Sequence, residues 1–195
     1  MVNMYILALN GSPNNEGNTA FLLNKILDKC SENGADVEMI SVPEAVNSAR
    51  TPFCGTCVGV CKAVCYAGTA LEEAYDKLRR ADAVIIGSPV YFGSITAQLK
   101  AFFDKTRKVR GEKALIGKPC GCVSVGTSRF GGQELTVNTI HNIALVQGMT
   151  IVGEGQSEYD AGHHGVCAIK PAKDDEYAIA RCEIMALRLI DEVKK

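Results

Sequence analysis

Short apolar runs separated by turn-forming residues recur along the chain. They are rich in valine, isoleucine and leucine, are bounded by glycine, serine, proline or asparagine, and occupy residues 4–9, 37–42, 83–87, 120–125 and 149–152. Near-continuous apolar runs of this length are typical of parallel strands that are covered on both faces. The pattern therefore predicts five buried strands in an α/β protein.

Between these runs the apolar residues follow the period of a helix. Leu23, Ile26, Leu27 and Cys30 stand at i, i+3, i+4 and i+7, and similar stripes lie within residues 71–78, 95–103, 133–148 and 179–193. Each stripe gives a helix one apolar face, and such a face can cover the sheet. We therefore expect one helix after each strand.

Five strands alternating with five helices favour right-handed crossovers and a doubly wound parallel sheet. At this length the natural strand order is 2-1-3-4-5, with ligands at the switch point between strands 1 and 3. We expect one domain over residues 1–195. Two connections are unusually long: residues 43–68 carry four cysteines, and residues 153–173 carry His163 and His164. Long connections in a compact domain are usually functional or disordered.

Charge and hydropathy exclude several function classes. The 195-residue chain is 47% hydrophobic and 22% charged, has a net charge of −1, and lacks the basic patch of a nucleic-acid or membrane-surface protein. We interpret Lys105, Arg107, Lys108 and Arg110 as the end of a helix, where positive charge complements the dipole. No apolar run approaches the roughly 20 residues of a membrane span, and the first residues lack a signal-peptide pattern. We therefore expect a cytoplasmic protein without membrane or nucleic-acid partners.

The first loop has the chemistry of a phosphate site. Residues 10–19 follow the first strand and open the first helix, where backbone N–H groups meet the positive end of the dipole. Ser12, Asn14, Asn18 and Thr19 add hydroxyl and amide groups there. The loop lacks the Gly-Lys-Ser/Thr of a triphosphate site and the three glycines of a dinucleotide site. It suits a single phosphomonoester such as that of FMN, while a plain helix cap is the alternative.

Two further glycine-rich loops end strands at the same edge of the predicted sheet. The second, residues 87–94, contains Tyr91 and Phe92, which offer flat apolar surface for a ring, and glycines that let backbone amides approach it. The third, residues 126–134, contains Arg129, which lies either near a bound phosphate or ring or in solvent. Together the three loops predict a flavin site.

Four of the nine cysteines stand in the pattern Cys54-x2-Cys57-x3-Cys61-x3-Cys65. Thiolates are the usual ligands of a four-iron cluster, and one short loop can supply all four. Zinc, disulfides or a reactive dithiol, and unligated packing are the alternatives. The five other cysteines are interpreted as packing residues: Cys30, Cys120, Cys122, Cys167 and Cys182.

Three motifs together resemble a known family. Gly11-Ser-Pro-Asn-Asn-Glu-Gly-Asn-Thr19, residues 87–106 from Gly-Ser-Pro-Val-Tyr-Phe-Gly-Ser onward, and Arg129-Phe-Gly-Gly-Gln-Glu134 look like the iron-sulfur flavoproteins within the NADPH-dependent FMN reductase group. The resemblance spans nearly the whole chain and implies a flavodoxin-like fold. The third cysteine, Cys61, departs from the compact family motif by coming one position later.

The resemblance also implies site residues and cofactors. FMN would lie across the three loops, with its phosphate held by Ser12, Asn14, Asn18 and Thr19. Its isoalloxazine ring would be lined by Pro89, Val90, Tyr91, Phe92, Gly93 and Ser94, and the third loop would add Thr127 and Gly131. A [4Fe-4S] cluster would be ligated by Cys54, Cys57, Cys61 and Cys65.

The resemblance predicts an electron-transfer flavoprotein assembled as a homodimer or homotetramer, with the cluster near the flavin of another subunit. Ferredoxin or a similar protein would donate electrons, and oxygen, peroxide or a quinone-like compound would accept them. Two alternatives stay open: an NAD(P)H-dependent FMN or quinone oxidoreductase without a cluster, and a zinc-stabilised flavodoxin-like binding scaffold. The sequence offers no nucleophile with base and orienting partner, so we expect no catalytic acid, base or nucleophile.

The histidines are assigned only weak roles. His141 falls in the fourth helical segment and is interpreted as a polar contact of that helix. His163 and His164 would lie either near the flavin or at a subunit contact. Metal binding by this pair would need further ligands, and the near ones in sequence are Asp160 and Cys167.

Overall fold

A parallel sheet lies at the centre of the computed structural model, which describes residues 4–55 and 57–195. Its strands are β1 (Tyr5–Asn10), β2 (Asp36–Ser41), β3 (Ala83–Pro89), β4 (Pro119–Gly126), β5 (Thr150–Ile151) and β6 (Val166–Ile169). The order is β2-β1-β3-β4-β5, and every pairing is parallel. The flavodoxin-like order predicted from the sequence is confirmed.

The fifth strand position is divided, and this differs from the prediction of five continuous strands. β5 pairs with Pro119 and Cys120 at the start of β4, whereas β6 pairs with residues 123–126 at its end. The two pieces are separated by residues 152–165, which leave the sheet and return. β6 lies inside the segment that we expected to be a loop, so the sheet has six strands.

Helices cover both faces of the sheet, and they are α1 (Asn18–Glu32), α2 (Val42–Ser48), α3 (Ala70–Arg80), α4 (Ala97–Asp104), α5 (Arg107–Gly111), α6 (Gln133–Val146) and α7 (Glu176–Val193). One core is formed by α1 and α7 against alternate strand residues such as Ile6, Ile85 and Val123. The other core joins helices α2 to α6 to the opposite face, for example at Leu7 and Ile86. Burial on both faces explains the continuous apolar runs of the strands.

Two elements differ from their predicted form. The segment 43–68 begins with helix α2, whose Val42, Pro43, Ala45 and Val46 are buried, so the irregular loop starts only at residue 49. The basic cluster near residue 105 is divided as well. Lys108 and Arg110 lie in the last turn of the short helix α5 and Lys105 is the C-cap residue of α4, as expected for helix ends, whereas Arg107 is the first residue of α5. Lys105 differs from the others in being only 1% exposed. In the described part of the chain, no helix is long and apolar enough to cross a membrane.

Candidate functional site

The first loop is held in shape by its own polar residues. Ser12 donates its backbone N–H to Asn10 Oδ1 (3.0 Å), Asn14 donates its backbone N–H to Ser12 Oγ (3.1 Å), and Glu16 donates to Asn14 Oδ1 (3.0 Å). Gly17 precedes α1 and gives it no side-chain cap. Because the first N–H groups of a helix lack partners within the helix, this end of α1 is suited to an anion.

A cavity of about 220 Å³ lies among the first, second and third loops. It brings together eight residues that the sequence assigned to FMN: Ser12, Asn14, Asn18, Thr19, Pro89, Val90, Tyr91 and Thr127. Lys170, just after β6, also lines it and adds a positive charge. The cavity combines hydroxyls, a helix N-terminus and an ammonium group, so its donor set fits the phosphate of FMN.

The first and second loops are fastened to each other by buried hydrogen bonds. Gly11 donates its N–H to the Gly87 carbonyl (2.8 Å), and the hydroxyl of Thr96 donates to the Gly11 carbonyl (2.7 Å). Thr96 in turn donates its N–H to Ser88 Oγ (3.2 Å). A side chain on Gly11 would place its Cβ 2.8 Å from the Gly87 carbonyl oxygen. Glycine is therefore required at this close approach of two loops.

The second loop ends in a tight turn that carries two aromatic residues. Tyr91 and Ser94 exchange backbone hydrogen bonds (2.8 and 3.1 Å), while Phe92 and Gly93 have φ values of +50° and +76°. The turn leaves the Phe92 side chain fully exposed and Tyr91 48% exposed. Phe92, Gly93 and Ser94 lie next to the phosphate cavity without lining it. The assignment of these three residues to the isoalloxazine stays a prediction.

The third loop is organised by Gln133, a buried residue that the sequence analysis did not select. Gln133 Oε1 accepts the N–H of Gly131 (2.9 Å), and its Nε2 donates to the Ser128 carbonyl (2.7 Å). The Gly131 N–H is thus already bonded within the loop. Arg129 and Phe130 of this loop line a second cavity of about 560 Å³, together with Gln133 and residues of β6 and α7. The role predicted for Gly131 at the flavin is not tested by these contacts.

Two of the residues that were predicted to bind the phosphate also make contacts within the fold. Asn18 Oδ1 accepts the N–H of Ala172 (2.7 Å), which fixes the segment after β6 against the start of α1. Thr19 is buried, and its methyl group lies against the place where a side chain on Gly87 would be. The same segment that Asn18 fixes brings Lys170 to the cavity. Lys170 was missed because β6, which positions it, was not predicted.

The cysteine loop carries its four thiols unpaired. Cys54 and Cys57 are exposed, Cys61 and Cys65 are half-buried, and all four are free. Thr56 of this loop lies outside the described residues. Across the described parts of the chain, no three histidine, cysteine or acidic residues stand close enough to hold a metal. Four free thiols in one surface loop fit the donor set of a thiolate-ligated cluster, and their assignment as its ligands stays a prediction.

The remaining cysteines are packed as predicted, with one difference. Cys30, Cys120, Cys122 and Cys182 are fully buried, and burial raises the pKa of the Cys30 thiol to about 12. Cys167 is half-buried and lines the 560 Å³ cavity. Burial also raises the pKa of Cys167 to about 12, so this thiol is not poised as a nucleophile at neutral pH.

A polar network centred on the buried Glu154 and Arg181 fixes the segment that divides the fifth strand. Glu154 accepts hydrogen bonds from both the backbone N–H and Nδ1 of His163 (3.0 and 2.9 Å) and forms an ion pair with Arg181. Arg181 also bonds both carboxylate oxygens of Asp160 (2.8 Å each), which lowers the pKa of that carboxyl. Unlike His163, Glu154 and Arg181 were not predicted to have a role, because their pairing depends on the packing of α7 against this segment.

The strand order, the first loop and the cavity beside it define the class: a flavodoxin-like α/β protein with a candidate ligand cavity at the switch point. The family model for NADPH-dependent FMN reductase matches residues 4–164. The chain therefore belongs to the NADPH-dependent FMN reductase family, and it is an FMN-dependent oxidoreductase.

Relatives and solved structures agree with this membership. The chain is 35% identical over 196 residues to an iron-sulfur flavoprotein of Methanocaldococcus jannaschii, covering 98% of each. It is 33% identical over 189 residues to an iron-sulfur flavoprotein of Methanosarcina thermophila, covering 96% of this chain and 94% of the relative. Among solved structures, a WrbA-like flavodoxin from Agrobacterium tumefaciens has a TM-score of 0.71 at 16% identity, with 98% of both chains covered. That structure supports the fold.

Proposed function

We propose that this protein is an iron-sulfur flavoprotein that transfers electrons between a cluster in the loop of residues 49–69 and FMN at the switch point. The observation that carries the proposal is the set of four free thiols at positions 54, 57, 61 and 65. Its near full-length relatives are named iron-sulfur flavoproteins. A ferredoxin-type donor and a small acceptor such as oxygen, peroxide or a quinone-like compound belong to the proposal.

The residues around the cavity would hold FMN by its phosphate end. Ser12 and Thr19 offer hydroxyls, the first turn of α1 offers N–H groups, and Lys170 offers a counter-charge. FMN, when bound, supplies one- and two-electron redox chemistry. Pro89 and Val90 give the cavity an apolar wall, which excludes water from that side of the ligand.

The cysteine loop would hold the cluster, which supplies one-electron chemistry. Its thiols are the donors that iron-sulfur centres use, and the half-burial of Cys61 and Cys65 places two of them partly out of water. Cys61 is included despite its late position, because Gly55 and Gly59 have no neighbour that restricts them. A homodimer or homotetramer that places the loop near the flavin of another subunit is part of the proposal, as is a reducing, cytoplasmic location.

A second function is NAD(P)H-dependent reduction of FMN or a quinone without a cluster. The chain is 41% identical over 78 residues, 40% of its length, to an NAD(P)H dehydrogenase (quinone) of Geobacter sulfurreducens. The 560 Å³ cavity beside Arg129 has room for part of such a substrate. A third function, a zinc-stabilised binding scaffold, depends on the same four cysteines.

The deciding experiment is anaerobic purification followed by measurement of FMN, iron, acid-labile sulfide and zinc per chain. We expect FMN together with iron and sulfide, and visible absorption that is partly bleached by reduced ferredoxin. FMN alone, with prompt reduction by NADPH, would support the second function and reject the first. Zinc without iron or flavin reduction would support the scaffold. Gel filtration of the same preparation tests the dimer or tetramer.

A further inference from the structure

Lys105 is a fully buried lysine that the proposed electron transfer does not yet explain. It lies between α4 and α5, it is 1% exposed, and it is one of the largest buried side chains of the chain. A lysine ammonium is strongly disfavoured away from water unless a hydrogen-bond acceptor or an anion compensates it. The group that compensates the Lys105 ammonium therefore indicates the role of this lysine.

The partner of Lys105 is a cysteine of the cluster loop. Lys105 Nζ lies 3.4 Å from Cys65 Sγ, within hydrogen-bond range for sulfur. The neighbouring carboxylate, Asp104, pairs instead with Lys100 (2.6 Å), and the Thr106 hydroxyl is engaged with Phe103 and Gln147. Within the described residues 4–55 and 57–195, the Lys105 ammonium makes one hydrogen bond, and its acceptor is Cys65 Sγ.

Cys65 is held in place from its own side as well. Arg50 donates its backbone N–H to the Cys65 carbonyl (3.0 Å) and its guanidinium to the Val64 carbonyl (3.0 Å). The next residue, Tyr66, is buried and stacks edge-on against Tyr75 with ring centroids 5.0 Å apart. Cys65 is thus the anchored end of the loop, whereas Cys54 and Cys57 are exposed.

We propose that Lys105 is a positioning and tuning residue for the cluster. Its buried ammonium donates an N–H···S hydrogen bond to Cys65 and places a positive charge beside a centre ligated by thiolates. This inference depends on the proposed iron-sulfur function. Hydrogen bonds to the sulfurs, net charge and solvent exposure set the reduction potential of such centres. A fixed positive charge stabilises the reduced form, which carries one more electron, and so raises the potential.

The test compares Lys105→Met, Lys105→Arg and Lys108→Met in the full, anaerobically purified protein. Lys105→Met keeps the length of the side chain without its charge, Lys105→Arg keeps charge and donors, and Lys108 is a half-buried lysine of the adjacent α5. The readouts are iron and FMN per chain and the cluster's reduction potential from dye-equilibrated titrations. We expect a more negative potential, or lost iron with retained FMN, for Lys105→Met only. A Lys105→Met protein with wild-type iron content and potential would overturn the proposal.

A second measurement separates this contact from the cluster itself. In protein stripped of iron and FMN, urea unfolding of Lys105→Met, Cys65→Ala and the double variant forms a double-mutant cycle. We expect the double variant to lose less stability than the sum of the single losses. Cys65→Ala leaves the buried Lys105 ammonium without its acceptor, and Lys105→Met leaves the half-buried Cys65 thiol without its donor. Additive losses would reject the contact. If the wild-type protein binds no iron, the proposed function fails, and this cycle still decides whether Lys105 and Cys65 are coupled.

Discussion

Thr96 joins the first loop, the second loop and helix α4, so its replacement by valine is a sharp test of how the FMN site is held. Its hydroxyl donates to the Gly11 carbonyl (2.7 Å) and accepts the N–H of Leu99 (3.2 Å) as the cap of α4. The residue is fully buried. Valine has nearly the same shape and removes both hydrogen bonds.

The expected cost follows from those two bonds. Loss of a helix N-cap costs about 1 kcal/mol, and a buried carbonyl left without its donor costs about 1–3 kcal/mol. The free energy of unfolding should therefore fall by about 2–4 kcal/mol. In a chain of this size, each kcal/mol lowers the melting temperature by about 2–4 °C. Because Gly11 begins the phosphate loop, FMN binding should weaken at the same time.

The assay is urea unfolding of FMN-free protein followed by circular dichroism, with FMN affinity measured by quenching of flavin fluorescence. Thr96→Ser is the matched control, because it keeps the hydroxyl and removes only a methyl group. We expect Thr96→Ser to bind FMN as the wild type does and to lose less stability than Thr96→Val. A valine variant within about 0.5 kcal/mol of the wild type, the range of ordinary surface substitutions, would refute the reasoning.

Three further predictions concern single residues. Cys61→Ala should lower iron per chain, measured after anaerobic purification, while Cys167→Ala should leave it unchanged; equal iron in the Cys61 variant would remove that residue from the ligand set. Gly11→Ala should reduce FMN retention, measured as flavin per chain, because its Cβ would meet the Gly87 carbonyl oxygen at 2.8 Å. Burial lowers the pKa of His141, so the unfolded chain binds this proton more readily, and stability should decrease as pH falls below the ordinary histidine value of about 6.5. His141→Gln should flatten that part of the urea-midpoint profile, and an unchanged profile would contradict the assignment.

The sheet was predictable because its central strands β1, β3 and β4 are buried on both faces, and its division at the fifth position was not. Residues 83–87 and 120–125 form apolar runs in the sequence whatever strands they pair with, and they lie within β3 and β4. Val166–Ile169 is a strand of four residues, and its pairing with the end of β4 depends on how residues 152–165 leave the sheet. Helix α2 lies in the segment that was predicted to be a long connection, and its Pro43 stands in the first turn, where proline is tolerated.

The candidate site likewise contains some residues that were predictable from the sequence and others that were not. Ser12, Asn14 and Thr19 line the cavity, and they were predictable as a group because their loop is local: it follows a strand and opens a helix. Lys170 reaches the cavity through β6, so its position could be recovered only with the strand pairing known. Gln133 stands inside the third sequence motif, but its bonds to Gly131 and Ser128 depend on the bend of that loop, which the motif alone does not give.

Lys105 shows how a charge pattern can mislead. Its charged neighbours favoured an interpretation as the end of a helix, and this holds for Lys108 and Arg110 in the last turn of α5 and for Lys105 as the C-cap of α4. The interpretation did not predict that Lys105 is buried. The sequence spacing indicates burial instead, because Phe102, Lys105 and Val109 stand at i, i+3 and i+7. In the structure all three residues are buried. A lysine on an apolar stripe needs a polar partner in the core, and Cys65 is that partner.

Helix α4 connects the two halves of the proposed function. The N-terminal end of α4 is fixed to the phosphate loop through Thr96. Lys105, which directly follows the last residue of α4, contacts Cys65. At about 1.5 Å per residue, these ends lie roughly 13 Å apart, so the two groups of variants act at separate places on one rigid element. Thr96→Val should therefore weaken FMN binding without altering the Lys105–Cys65 contact, and Lys105→Met should shift the cluster potential with FMN retained. A loss of both properties in either variant would mean that α4 supports the whole domain rather than two distinct sites.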